Sequence, residues 1–181
     1  MTTGHKETFK TNFMTIINKK INIEASLIDV WNIVSDLGGI QNYNPSVKKS
    51  FYTTDEKNGV GAARVCEFHP MGKVEETATQ WEDKKSYTLH IKPIEKLPFF
   101  NEGFAHFSLI ELGNSLTQVS VDFEYKVNSN PIALIMNKLM LKGNFDKAFE
   151  GILLGLKTHI EEGIVIDNFS ILRQYHIHKA S

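Results

Sequence analysis

Residues Ile21 to Val47 read INIEASLIDVWNIVSDLGGIQNYNPSV and hold a strand, a capped helix and a glycine stop in that order. Ile21 and Ile23 alternate with Asn22 and Glu24, the period-two pattern of a strand with one wet face. Ser26 then offers a side-chain oxygen to the free amides of a new helix, and Asp29 is placed to answer the Ser26 backbone amide. Leu27, Val30, Trp31 and Val34 follow at i, i+3, i+4 and i+7, a single apolar stripe that needs a large surface to lie on. Gly38-Gly39 is expected to end this helix because glycine enters left-handed backbone cheaply. A second short turn around 40–43 comes next, and Pro45 holds Asn44 extended toward another strand.

Outward from this segment the chain runs in hairpins. Val47 to Thr54 reads as a strand, Asn58-Gly59-Val60-Gly61 as a turn and Ala63 to His69 as the next strand. Pro70-Met71-Gly72 reverses the chain into Lys73 to Trp81, and Asp83-Lys84 turns it into Tyr87 to Ile91. A loop holding Pro93, Pro98 and Phe99-Phe100 leads to Gly103 to Leu112, where Gly113-Asn114 signals another hairpin. In the last strand Val119, Val121, Phe123, Tyr125 and Val127 face one way and Gln118, Ser120, Asp122, Glu124 and Lys126 the other, so one side of the sheet is solvated.

Asn130-Pro131 opens a final helix, with the cap side chain followed by proline at the first helical position. Its second half carries Phe145, Phe149, Ile152, Leu153, Leu156 and Ile160 at helical spacing, a stripe for packing. Its first half, including Met136 and Met140, is apolar almost all round. That pattern points to core on one side and a cavity, lid or partner on another, or to a helix end covered by the loop after Phe99-Phe100. Gly163 closes the helix.

With 181 residues the chain suits one domain, 13–162, between a flexible start at 1–12 and a C-terminal extension at 163–181. Hydrophobic content of 41% and charged content of 23% are those of a globular protein, and a net charge of -1 gives no electrostatic reason to expect nucleic acid or an anionic membrane. No apolar run is long enough to span a bilayer. The single Cys66 and the polar first residues, which lack the apolar core of a signal peptide, point to the cytoplasm.

Strand, two short helices, an antiparallel meander and a long closing helix make an α+β layout in which a curved sheet wraps a helix. The chain resembles the START-related, helix-grip superfamily called SRPBCC over Thr15 to Glu162. The residues that carry the resemblance are Ile23, Ala25, Val30-Trp31, Asp36, Tyr43-Asn44-Pro45-Ser46-Val47, Gly59-Val60-Gly61 with Arg64, Gly72 through Glu75-Glu76, Trp81-Glu82-Asp83, Thr117-Gln118-Val119, and Leu156-Lys157 with Glu161. The family often has tryptophan where Tyr43 stands, and the tail after Gly163 is not part of its pattern. The resemblance implies a helix-grip fold, a curved antiparallel sheet of about six or seven strands around the C-terminal helix. It also implies functions among polyketide cyclases, plant allergen-type carriers and lipid-transfer domains.

Treating Asp83-Lys84 as a two-residue turn pairs Gln80 with Tyr87, Ala78 with Leu89 and Glu76 with Ile91. Treating Met71-Gly72 the same way adds Val65, Glu67 and His69, with Val74, to that face. Two carboxylates on an apolar face call for a wet hollow, a paired Arg or His, or the opposite face assignment, in which Cys66, Phe68, Thr77, Thr79 and Trp81 point inward. Arg64 falls on the alternation opposite Glu67. His106 is left open, because two-residue and three-residue loops at Gly113-Asn114 give opposite answers. The expected ligand-binding set is therefore Val65, Glu67, His69, Val74, Glu76, Ala78, Gln80, Tyr87, Leu89, Ile91, Phe123, Tyr125, Met136 and Met140, around a mainly apolar molecule.

Other chemistry finds little footing. Gly59-Val60-Gly61 lacks the remaining phosphate-loop residues, Cys66 has no helix end to activate it, and there is no Gly-x-Ser-x-Gly elbow. His176-x-His178 makes at best an incomplete metal site, so neither metal nor cofactor is expected. Two functions remain in front: carriage of a hydrophobic small molecule, and a cyclase or dehydratase using Glu76, Glu67 and His69 as acid/base groups in the hollow. A co-chaperone-like interaction module is the weaker third.

Overall fold

The strand that feeds the first helix is longer than its alternating end suggests, because its earlier residues pair along the full length of the last strand. In the computed structural model, which describes residues 14–68, 72–94, 100–127, 131–166 and 168–169, β1 spans Met14–Ile23 and α1 Leu27–Val34. A 3₁₀ turn, Leu37–Asn42, leads into β2 (Val47–Tyr52), β3 (Ala63–Phe68), β4 (Gly72–Glu82), β5 (Ser86–Pro93), β6 (Glu102–Gly113) and β7 (Leu116–Lys126). These seven strands form one antiparallel sheet in the order β1-β7-β6-β5-β4-β3-β2. The first two strands therefore occupy opposite edges. The connection between them crosses the concave side, with α1 against β6 and β7 and the 3₁₀ turn against β2.

Two local expectations are corrected. Ser26 Oγ accepts from the Asp29 amide at 3.2 Å as expected, but the Asp29 carboxylate takes its bond from the Ser26 hydroxyl, at 2.6 Å, rather than from the backbone. The helix ends at Ser35, before Gly38-Gly39, and neither of those glycines is left-handed. They are needed for space: a side chain at 38 would meet the Tyr52 ring 2.6 Å away, and one at 39 the Asp36 carboxylate 2.8 Å away.

The closing helix is interrupted. α2 (Pro131–Met136) passes through a π turn, Asn137–Leu141, into α3 (Lys142–Glu162), which ends at left-handed Gly163. The wide turn is tied to the sheet at its start, where Tyr125 donates to Asn137 Oδ1 at 2.6 Å and Asn137 Nδ2 donates to Thr15 Oγ1 at 2.9 Å. The expected Asn130 cap lies outside the described residues. Along α3, Phe149, Ile152, Leu153 and Leu156 are buried against the sheet. Gly155 is required because a methyl there would land on the Tyr43 carbonyl oxygen. Three residues after Gly163 the chain is still held to the body of the protein: Ile166 is fully buried and its amide donates to Asn42 O at 2.8 Å.

Candidate functional site

Between the concave face of the sheet and the second half of the closing helix lies a cavity of about 440 Å³. The sheet contributes Phe68, Val74, Leu89, Ile91, Ala105, Phe107 and Phe123; the helix contributes Leu141, Phe145, Ala148, Phe149 and Ile152; Phe100 and Ile40 come from connections. Tightly packed rings stiffen one wall, with Phe123 4.7 Å from Phe149 and 5.1 Å from Phe145 between centroids. Among the described residues, only Asn44, Arg64, Glu76 and Asn144 bring polar groups to the lining.

Arg64 and Glu76 face each other across β3 and β4 and are both almost wholly buried. Arg64 Nε donates to Glu76 Oε2 at 2.6 Å and a second guanidinium nitrogen lies 2.5 Å from the same oxygen. The third donates to Leu37 O. The 3₁₀ turn after α1 thus supplies the carbonyl that completes the guanidinium's partners, as a charge removed from water demands. Burial is the largest single effect and works against the Arg64 charge, but the adjacent Glu76 carboxylate together with Cys66, Tyr43 and Tyr87 outweighs it, and the guanidinium is held above its ordinary pKa. Burial pushes the Tyr43 and Tyr87 phenols up as well, and so keeps them neutral donors. Cys66, with its sulfur 3.8 Å from Glu76 Oε2, is pushed up to about 12, first by burial and then by that carboxylate. It is not a nucleophile in waiting.

Of the expected ligand-binding residues, Val74, Glu76, Leu89, Ile91, Phe123 and Met140 border the cavity. Ala78, Tyr87 and Tyr125 point to the same side but are packed into the core, Tyr87 between Trp81 and Phe107 at 5.3 and 5.1 Å. Met136 is half-buried and does not border the space.

Val65 and Glu67 are corrections. The reversal into β4 pairs Phe68 with Gly72, a longer loop than a turn at Met71-Gly72, and the odd shift in register puts Arg64, Cys66 and Phe68 inside instead. Glu67 is on the outer face, bonded to Lys73 at 2.7 Å, and that bond chiefly lowers its pKa. Gln80 is the third correction. Glu82 pairs with Ser86 around a three-residue turn with Lys84 left-handed, and a bulge at Thr79 restores the pairing of Ala78 with Leu89. Between turn and bulge the alternation is inverted, so Trp81 faces Tyr87 inside and Gln80 is exposed, accepting from Thr88.

His69 lies outside the described residues. His106 is settled on the outer face, where its Nδ1 lies 2.9 Å from Thr88 Oγ1 and its cross-strand partner is Asp122.

Arg64, Asn44, Phe107 of β6 and Phe145 and Phe149 of α3 border the cavity and are absent from the ligand set expected from the sequence. The clean alternation of β7 held a usable signal, since pairing Phe123 with Ala105 and Val121 with Phe107 orients all of β6. Among the described residues no cluster of His, Cys, Asp or Glu has the arrangement to hold a metal, and no helix is long and apolar enough to cross a membrane.

The geometry agrees with known proteins. A START superfamily protein from Mycobacterium smegmatis superposes with a TM-score of 0.66 at 17% identity, over 81% of this chain and 97% of that one. The Zhui aromatase/cyclase from Streptomyces gives 0.69 at 13% identity, over 82% and 94%. A truncated norcoclaurine synthase from Thalictrum flavum gives 0.64 at 15%, over 83% and 96%. These likenesses show the helix-grip fold. No curated protein matches the sequence. The family model described as polyketide cyclase / dehydrase and lipid transport matches residues 14–161, and the chain belongs to that family.

Proposed function

We propose that this protein binds and carries a mainly apolar small molecule bearing one hydrogen-bonding group. The observation behind the proposal is a cavity of about 440 Å³, within the range of about 300–1,000 Å³ common for ligand sites, whose aromatic and aliphatic wall is broken by a buried ion pair. The Arg64 donors and the Cys66 thiol converge on Glu76 Oε2. Oε1 is then the acceptor for a ligand hydroxyl or amine, while the apolar body lies against Phe107, Phe123 and Phe149. Organic extraction of the purified protein followed by mass spectrometry tests this. Recovery of an apolar compound in stoichiometric amount supports it; an empty protein that also takes up neither fatty acids nor isoprenoids nor aromatic polyketides sinks it.

A second reading has the same carboxylate act as a general base on a ligand held beside it. It is supported by the position of Glu76 on the apolar wall and by two solved relatives named as an aromatase/cyclase and a synthase. Glu76→Gln separates the two: binding retained with turnover lost favours the enzyme, and turnover retained removes it.

A further inference from the structure

The first half of the closing helix keeps apolar side chains in water. Ile132, Ile135 and Leu139 are 68%, 57% and 76% exposed, at spacings of three and four that put them on one side. Leu134, Leu141 and Phe145, from the other side, pack on the core. This explains why the segment reads as apolar all round: one side serves the fold and the other is uncovered. Lys138 and Lys142, both exposed, each follow an exposed apolar residue by three positions, and no acidic residue occurs from Pro131 to Phe145. The whole-chain charge of -1 conceals this local basic and apolar surface. Met140 borders the cavity and is also 46% exposed, so the surface adjoins the cavity's opening.

We propose that this helical segment docks on an anionic phospholipid surface, with its isoleucines and Leu139 entering the headgroup boundary, its lysines meeting lipid phosphates and carboxylates, and the cavity mouth turned toward the bilayer. Charge complementarity selects this occupant. A protein groove would satisfy the apolar stripe but gives no reason for two flanking lysines and no acid. The proposal goes beyond the cavity reading and holds whatever the cavity contains, so failure of one leaves the other standing.

Co-sedimentation with vesicles of phosphatidylcholine, with and without phosphatidylserine, tests it. The protein is expected to pellet with the mixed vesicles at low salt and to stay in solution with phosphatidylcholine alone. Ile135→Ser with Leu139→Ser removes exposed side chains without touching the core and should abolish binding, whereas Lys138→Gln with Lys142→Gln should weaken it roughly thirtyfold. Equal binding to both vesicle types, no binding to either, or binding indifferent to both variants overturns the proposal. A wild-type dimer in sedimentation equilibrium that becomes monomeric with the serine variant assigns the surface to a second copy and also overturns it.

Discussion

Arg64 and Glu76 are cross-strand neighbours that share one carboxylate oxygen, with Nε to Oε2 at 2.6 Å, inside an otherwise apolar wall. Removing one member leaves the other charge buried without its partner, which costs about 3–5 kcal/mol. Arg64→Met is therefore expected to lower stability by that amount in urea unfolding. Adding Glu76→Leu to it should recover most of the loss, because two apolar side chains of similar volume need no counter-charge. A double variant as unstable as the single one would show that the pair organises the wall in some other way.

Ala148 borders the cavity from α3 and is half-buried. Ala148→Leu should fill part of the space and weaken uptake of a fluorescent fatty-acid analogue by about tenfold or more, with the melting temperature changed by no more than about 2 °C. Titration of probe fluorescence and a thermal scan check both halves of this expectation.

Two glycines of α3 should respond in opposite directions. Gly155→Ala drives a methyl into the Tyr43 carbonyl, a backbone group that cannot swing aside, and should cost at least about 2 kcal/mol. Gly143 has nothing within 4 Å of an added Cβ, so Gly143→Ala should gain about 0.5–1 kcal/mol from helix propensity. Denaturant midpoints of the two variants provide the comparison.

Cys66 is fully buried, and with its thiol pushed up to about 12 only on the order of one in ten thousand would be ionised at pH 8. Labelling by a disulfide reagent at that pH should be absent on mixing and follow the rate of unfolding. Rapid stoichiometric labelling of the native protein would contradict the burial.

Glu102 on the outer face bonds Lys126 at 2.8 Å and His90 at 2.9 Å, and these two, the lysine first, hold its pKa below the ordinary 4.5. A carboxylate depressed in the folded state stabilises above its unfolded value, and that contribution is lost as pH falls through the folded one. Glu102→Gln should accordingly lower stability at neutral pH, where the contribution is fully present, and make the acid limb of the stability profile shallower, so that the variant and the wild type converge below about pH 4.5. Melting temperatures across the acid range measure it.

What could be read without coordinates follows from periodicity and from strong local signals. The Ser26 cap, the stripe of α1, the alternation of Val119 to Tyr125, the hairpin at Gly113 and the stop at Gly163 each rest on residues close together, and the layout of the helix-grip fold follows from their order. The cavity wall was half legible: Glu76, Leu89 and Phe123 were placed inward correctly because their pairings survive the irregular turns. Glu67 and Gln80 were not, because side chains alternate with period two and an error of one residue in a turn sends a whole strand's set to the wrong face.

Three things were decided only by the tertiary structure. One is the loop that turns Arg64 inward to Glu76, and another the bulge at Thr79 that exchanges Gln80 for Trp81. The third is the meeting of Ile40, Phe100 and Phe149 from distant parts of the chain around one space. Local pattern specifies which elements form and which stripe each must bury; the parity of each strand and the partner of each buried charge are set by contacts between elements far apart in the chain.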